Sequence, residues 1–238
     1  MAPLARARGH SALLIDAGRG GPPVAAPDVS REDVAAAAGL DLAPLIEKKD
    51  RGECVVAMSK AAPVLLAKLA AEGKIDGVIS LGGGGATAIG TAAMGALARG
   101  FPKLMVSTLA SGNTAHYLGT KDIVMMPSIA DVAGLNRLSR VIFSRAAGAI
   151  CGMVEAEVGT ASEKPLVVAS MFGNTTACVT EAKRLLEEAG YEVLVFAATG
   201  AGGRSMEALI ESGMVAGVLD LTTTEWALRT SSSPWLSR

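Results

Sequence analysis

The sequence predicts an α/β protein made of two Rossmann-like parallel-sheet units, the second incomplete. Three observations carry that prediction. Short apolar runs alternate with helical patterns along 238 residues, the order that builds parallel sheets with right-handed crossovers. Half the residues are hydrophobic but only 3% are aromatic, and 28 are glycine, a composition that suits helices laid closely on a buried sheet. Polar, glycine-rich turns follow the apolar runs, where an open parallel sheet presents itself to ligands.

A first strand is predicted over residues 11–16, with His10 ahead of it in a start expected to fray. Ser30 and Asp33 form a capping-box pattern that opens a short helix to about Ala38. Val55, Met58, Ala62, Leu65 and Leu69 recur at helical spacing, predicting a helix over 51–72 that Pro63 either kinks or divides. Residues 77–82 read as a buried strand, four glycines end it, and a helix is predicted over 86–99. Strands follow at 103–108 and 122–126, separated by the polar loop 110–116. A long helix is predicted over 135–154, its second half rich in small residues. The apolar pattern then lapses over 155–164, which places a linker there and gives a first unit of 1–156.

The second unit, 165–225, opens with a strand at 166–170 and a turn at 171–176. Val179, Ala182, Leu186 and Ala189 give the next helix its apolar face. A strand at 192–196, a glycine-rich turn at 198–204, a short helix at 205–212 and a strand at 215–221 complete it. Residues 226–238 read as an irregular tail. Both tryptophans, Trp226 and Trp235, fall in it, and it reads as a chain that leaves its frame or stops early.

Bulk properties exclude several classes. A net charge of −1 with no basic stripe interleaved with aromatics gives nucleic-acid binding no electrostatic support. Cys54, Cys151 and Cys178 are scattered and without C-x-x-C spacing, which argues against a disulfide framework or a zinc site and for a reducing cytoplasm. Core packing is expected for all three. No apolar stretch of about 18 residues is read, so no membrane span is expected. No metal site is assigned.

The turns carry the functional reading. A strand, a glycine turn and a helix aim backbone N–H groups and the positive end of a helix dipole at one point, an arrangement suited to phosphate. Here that turn comprises Gly82, Gly83, Gly84 and Gly85, with Thr87 just inside the helix. Further polar turns hold Asp16 with Gly18; Ser111, Gly112 and Asn113 up to His116; Gly173, Asn174, Thr175 and Thr176; Gly200, Gly202, Gly203 and Arg204; and 220–225. Small hydroxyls and bare N–H groups wrap phosphates without bulk, and carboxylates can hold Mg²⁺ through its waters. Asn174, Thr175 and Thr176 are also placed to cap their helix, and Arg204 to make bidentate contacts to an anion.

Two familiar phosphate motifs fail. Gly85 and Gly90 have Walker A spacing, but Thr91 stands where that loop needs Lys. Gly83, Gly85 and Ala88 satisfy G-x-G-x-x-A, yet Ser107 and Thr108, about 20 residues on, offer no acid for a ribose. NAD therefore ranks below ATP. Ser111, His116 and Asp122 form the only conceivable Ser/His/Asp grouping, without a nucleophile elbow. No catalytic residue is assigned.

The runs 81–88, 102–112, 119–126, 133–140, 171–176, 198–207 and 219–225 resemble the family of the tomato mosaic virus resistance protein, whose bacterial relatives are mostly uncharacterised and described as ATP-binding. The similarity spans about 15–225, and Pro102-Lys103-Leu104-Met105-Val106-Ser107-Thr108 and Ala133-Gly134-Leu135-Asn136-Arg137 are its most specific stretches. The resemblance implies two Rossmann-like subdomains, nucleotide binding with Mg²⁺, and a homodimer. It implies nucleotide contacts at Gly82–Gly85, Ser111, Gly112, 174–176 and 200–204. In plant members the ATP-binding region inhibits a viral replication protein and precedes a TIM barrel, which is absent here.

This chain departs from the pattern in several places. It lacks the family's opening strand and Thr-Leu-Asp-Thr-Lys loop, has Gly84 and Ala86 where Ser and Gly are usual, and has Ala197 at a position often held by His. The family also runs on after Glu225, and the chain is read as truncated at both ends. The resulting expectation is an ATP-binding protein with weak Mg²⁺-dependent hydrolysis or phosphoryl transfer. The alternatives are a regulatory protein whose nucleotide supports dimerisation and, below it, an NAD(P)-dependent oxidoreductase.

Overall fold

The chain divides after Glu157 into two units, each built on its own three-stranded parallel sheet. The computed structural model describes residues 1–18, 21, 23–48, 50–132, 134–157, 159 and 164–222. The tail predicted over 226–238, residues 223–225 of the last polar turn, and residues 160–163 of the predicted linker lie outside the described residues.

The first unit opens with helix α1 (Ala2–Ala7), which the sequence did not reveal. His10 does not fray away from the fold: its Nε2 lies 2.7 Å from Glu155 Oε1, and the Arg8 guanidinium donates to Glu155 Oε2. The predicted strand at 11–16 is not a strand. Ile15 makes one parallel bridge to Val29, and neither segment joins a sheet. A buried ion pair anchors this region instead, with Arg31 Nε donating to Asp16 Oδ2 at 2.8 Å and Arg31 Nη2 donating to the Gly21 carbonyl.

Helix α2 (Arg31–Ala37) has the predicted capping box, with Ser30 and Asp33 bonding reciprocally. α3 (Ala43–Glu47) is a short addition with Pro44 in its first turn. α4 (Arg51–Ala71) is one continuous helix through Pro63, capped by Asp50 on the Gly52 and Glu53 N–H groups. By length and composition α4 could cross a membrane, contrary to the expectation that no such stretch exists. Its buried stripe of Cys54, Met58, Ala61, Ala62, Leu65, Leu66 and Leu69 packs instead in the core of the first unit.

Strand β1 (Val78–Gly82), helix α5 (Gly84–Gly95), strand β2 (Lys103–Ser107), the single turn α6 (Ala115–Leu118), strand β3 (Val124–Pro127) and helix α7 (Arg137–Glu155) complete the unit in the order β1-β2-β3. Alternation decides which helix meets which face. Leu104 and Val106 pack with Ile142, Ala146 and Ile150 of α7, while Met105 packs with Met94 of α5 on the other side. Close approach of α5 requires Gly90, where a Cβ would lie 2.7 Å from Ser80 Oγ. The helix starts two residues before the predicted Ala86, because first-turn N–H groups need no helical partner and glycine can occupy that turn.

The second unit holds strand β4 (Leu166–Met171), a 3₁₀ turn (Gly173–Thr175), helix α8 (Thr176–Glu188), strand β5 (Glu192–Ala197), helix α9 (Ala201–Glu211) and strand β6 (Gly217–Asp220). Its order is β5-β4-β6, with every pairing parallel. Val167, Ala169 and Val193 pack with Val179 of α8, and Val168 packs with Met206 and Leu209 of α9. α9 begins at Ala201, so Gly202, Gly203 and Arg204 belong to a helical first turn and the predicted glycine-rich turn shrinks to 198–200.

The expectation that all three cysteines pack in the core holds for Cys54 and Cys151 but not for Cys178, which is exposed near the start of α8. Titration of the native protein with a thiol reagent should therefore label one cysteine quickly, and the other two only after denaturation. Rapid labelling of a second cysteine would contradict this assignment.

Candidate functional site

The two sheets expose their carboxyl edges in the same chemical style. At the edge of the first, the four glycines after β1 divide into two kinds. Gly82 has φ +153°, and a Cβ there would lie 2.4 Å from Ala86 Cβ; at Gly85 it would lie 3.1 Å from Val55 Cγ2. Packing accounts for both. At Gly83 and Gly84 the nearest atoms to an added Cβ are 3.7 Å away, on Thr108 and Leu109, and neither residue has a positive φ. Among the described residues, nothing requires glycine at these two positions.

Thr87 is fully buried, and its hydroxyl donates to the Gly83 carbonyl and lies 2.6 Å from Ser107 Oγ. It holds the glycine turn onto the end of β2 rather than facing solvent. Ser107 Oγ also accepts from the Leu109 N–H, and Ser107 O accepts from the Ser128 N–H. Ser111, Gly112 and Asn113 lie exposed in the loop after β2, where Asn113 Oδ1 accepts from the Ala115 N–H to start α6.

The sequence reading passed over the loop after β3. It contains the buried Ser128, whose Oγ donates to Ala130 O, and Ile129, a β-branched residue at φ +65°. The signal was available, since every parallel strand delivers a loop to the carboxyl edge. Asn136 and Ser139 form a capping box at the start of α7.

In the second unit the chain runs from β4 outward to β5 and then returns to β6 on the other side. The topological switch point therefore lies between β4 and β6, the position where open α/β sheets form a ligand crevice. Gly173, Asn174 and Thr176 are exposed there. Thr175 is structural: its hydroxyl meets the Phe172 N–H and lies 2.7 Å from Thr222 Oγ1. The predicted capping of α8 by this segment does not occur, because Thr175 makes no side-chain bond to the helix N–H groups. Ser170 Oγ donates to Asp220 Oδ1 and accepts from the Thr222 N–H. Each central strand thus carries a buried serine at or next to its carboxyl end, Ser107 or Ser170, that ties a neighbouring loop to the sheet.

Beside β5, Gly200 has φ +83°, and a Cβ on Gly202 would lie 1.9 Å from the Ala197 carbonyl oxygen. Gly203 is buried and Arg204 is exposed.

Side-chain caps occur at some helix starts and not at others: α1, α3 and α6 also lack them, while α7, which follows β3, has one. α2, α4 and α7 are capped by Ser30, Asp50 and Asn136. α5, α8 and α9, which follow β1, β4 and β5, have no side-chain cap at Gly83, Thr175 or Gly200.

The Ser111, His116 and Asp122 grouping does not assemble. Asp122 sits at the amino edge, accepting from Lys103 Nζ on Oδ1 and from the Gly100 N–H on Oδ2, while Ser111 follows the opposite end of β2. Asp16 is likewise committed to Arg31. Among the described residues, no cluster of three or more metal-ligating side chains occurs. The edges supply N–H donors and hydroxyls, a chemistry of anion binding.

Comparison with known proteins agrees with the resemblance read from the motifs. A protein described as "UPF0261 protein" from Clostridium tetani is 50% identical over 92% of this chain and 54% of its own length. "UPF0261 protein RA0729" from Rhizobium meliloti is 45% identical over 94% of this chain and 55% of its own. The "ToMV resistance protein Tm-1(GCR237)" of Solanum lycopersicum is 44% identical over 74% of this chain and 24% of its own. The chain spans about half the length of the bacterial relatives it matches. The N-terminal domain model of the uncharacterised protein family UPF0261 covers residues 1–159 and its C-terminal domain model covers 164–233, and the chain belongs to that family.

Proposed function

We propose that the chain is a cytoplasmic nucleotide-binding protein that takes ATP, with Mg²⁺ held on the phosphates, at the carboxyl edges of its sheets. One observation carries the reading: helices α5 and α8 begin without side-chain caps at the carboxyl ends of β1 and β4, α5 on Gly83 and Gly84, where no described neighbour requires glycine. Uncapped N–H groups and the helix dipole are complementary to phosphate. Glycine at positions 83 and 84, which packing does not explain, leaves room for a ligand against the backbone. ATP is favoured over NAD because β2 ends in Ser107 and Thr108, with no carboxylate for a ribose. Ser170 and Asp220 pair at the edge of the second sheet, but Ser170 is buried and also accepts from the Thr222 N–H, a structural tie that favours binding with a regulatory outcome over rapid turnover.

The test is a thermal-shift screen with ATP, ADP, NAD and NADP, with and without Mg²⁺, on the wild type and on Gly83→Asp. An Asp at this N-cap satisfies the helix N–H groups itself and repels phosphate. The variant should keep or slightly raise its stability, by about 0.3–1 kcal/mol, and should lose at least about tenfold in ATP affinity, or ~1.4 kcal/mol. A wild type unmoved by every nucleotide, or a variant that binds ATP unchanged, would refute the proposal.

A further inference from the structure

The carboxyl edge of the first sheet holds two residue choices that the fold does not explain, and they run in opposite senses. Gly83 and Gly84 are glycine where a side chain would find room. Ile129, after β3, is the reverse: a β-branched residue at φ +65°, where glycine or asparagine would sit at less cost. Among the described residues it is the one residue other than glycine with a positive φ. The Ala130 N–H donates to Ser128 O across it at 2.7 Å, a three-residue turn that is rare and strained when its central φ is positive. Buried Ser128 locks the turn, donating from Oγ to Ala130 O and from its N–H to Ser107 O. The Ile129 side chain is 75% exposed, so burial within the chain does not offset the strain. Strain of this kind persists where the surroundings impose it, and it collects at ligand clamps.

We propose that Ile129, with Leu109, is the clamp for the base of a nucleotide whose phosphates lie at Gly83 and Gly84. The proposal rests on the nucleotide reading of this edge and adds the part of the site that meets the base. The three strands end in order, with Gly83 and Gly84 after β1, Leu109 after β2 and Ile129 after β3. Leu109 is 37% exposed, and its Cδ1 lies 3.7 Å from where a Cβ on Gly84 would stand. β1 and β3 are two strand spacings apart, about 10 Å, a gap that a ribose bridges between base and phosphates. Phosphate gains nothing from an exposed isoleucine and leucine, whereas the apolar face of a heterocycle sheds water against them.

One serine fixes both ends of this span. Ser107 Oγ lies 2.6 Å from Thr87 Oγ1, which in turn donates to the Gly83 carbonyl, and Ser107 O holds the Ser128 N–H. The phosphate turn and the base clamp are thereby tied to the same strand end.

Isothermal titration calorimetry of the full chain with Mg²⁺-ATP and with Mg²⁺-tripolyphosphate tests this, on the wild type, Ile129→Asn and Ile129→Val. Asparagine accepts the positive φ but offers no apolar surface. Ile129→Asn should therefore melt about 2–4 °C higher without ligand. It should bind ATP about tenfold more weakly, as loss of much of an isoleucine's burial implies. Ile129→Val stays strained and apolar, so it should melt with the wild type and lose ATP affinity by about fourfold or less, the contribution of one methylene. Tripolyphosphate has no base and should bind all three proteins alike. Ile129→Asn keeping its ATP affinity, losing tripolyphosphate as well, or melting no higher than wild type would overturn the clamp. So would an Ile129→Asn protein that keeps ATP but dissociates from an oligomer, which would move Ile129 to a contact between copies. A wild type that binds neither probe would sink the nucleotide reading itself, and this inference with it.

Discussion

Asp122→Ala should destabilise the protein by about 3 kcal/mol, near the lower end of the cost of orphaning a buried charge. Lys103 is 0% exposed, and its ammonium is held by Asp122 Oδ1 at 2.6 Å and by the Ala98 carbonyl at 2.7 Å. Removing the carboxylate leaves a buried cation with one neutral acceptor and also frees the Gly100 N–H. The cost falls short of the maximum because the Asp122 side chain is 43% exposed, so water can enter the space it leaves. The converse change should be milder. Lys103→Met leaves a carboxylate that is already half solvated and should cost about 1–2 kcal/mol. Urea denaturation of both variants gives the order, and a larger loss for Lys103→Met would contradict the burial asymmetry.

The same pair has a pH signature. Burial alone would raise the Asp122 pKa, but the Lys103 hydrogen bond, the Gly100 N–H and the Lys103 charge outweigh it and hold the carboxyl below its usual range. A carboxyl with a lowered folded pKa stabilises the fold above its unfolded value, about 3.9, and loses that contribution as pH falls through the lowered value. The stability gap between wild type and Asp122→Ala should therefore stay level from neutral pH down to about 4 and shrink below it.

Gly202→Ala should cost about 3 kcal/mol, the upper part of the range for overpacking a tight contact. The new methyl would meet the Ala197 carbonyl at 1.9 Å, and the obstacle is backbone at the end of β5 rather than a movable side chain. α9 would have to lift from the strand, disturbing the packing of Met206 and Leu209 on Val168. Gly173→Ala is the control. It has no positive φ and nothing within 4 Å of an added Cβ, so its stability should change by no more than about 0.5 kcal/mol. Equal melting temperatures for the two variants would show that the close approach at Gly202 is not needed.

These predictions show where the sequence was readable. Apolar runs located all six sheet strands to within two residues at each end, because burial between helices leaves little choice of residue. The run at 11–16 failed because an apolar stretch becomes a strand only when a neighbour supplies its ladder, and Ile15 meets only Val29. The glycine turns were legible as turns, but not as two kinds of glycine. Whether Gly82 and Gly85 serve packing while Gly83 and Gly84 do not depends on where Ala86, Val55, Thr108 and Leu109 come to lie. The ion pairs were hidden for a related reason. Lys103 with Asp122, and Arg31 with Asp16, sit in segments whose apolar patterns allow several spatial orders. Ser170 reaches Asp220 only because β6 returns to β4.

The order β5-β4-β6 also bears on how the second unit is made. β4 leaves the ribosome first, yet it is the strand that needs a partner on each side. Its register with β5 closes a loop about half as long as its register with β6, and shorter closures cost less entropy. The β4–α8–β5 half should therefore form while the β6 side of β4 is still open. During synthesis that bare edge of β4 is the part of the unit most vulnerable to pairing with another nascent chain.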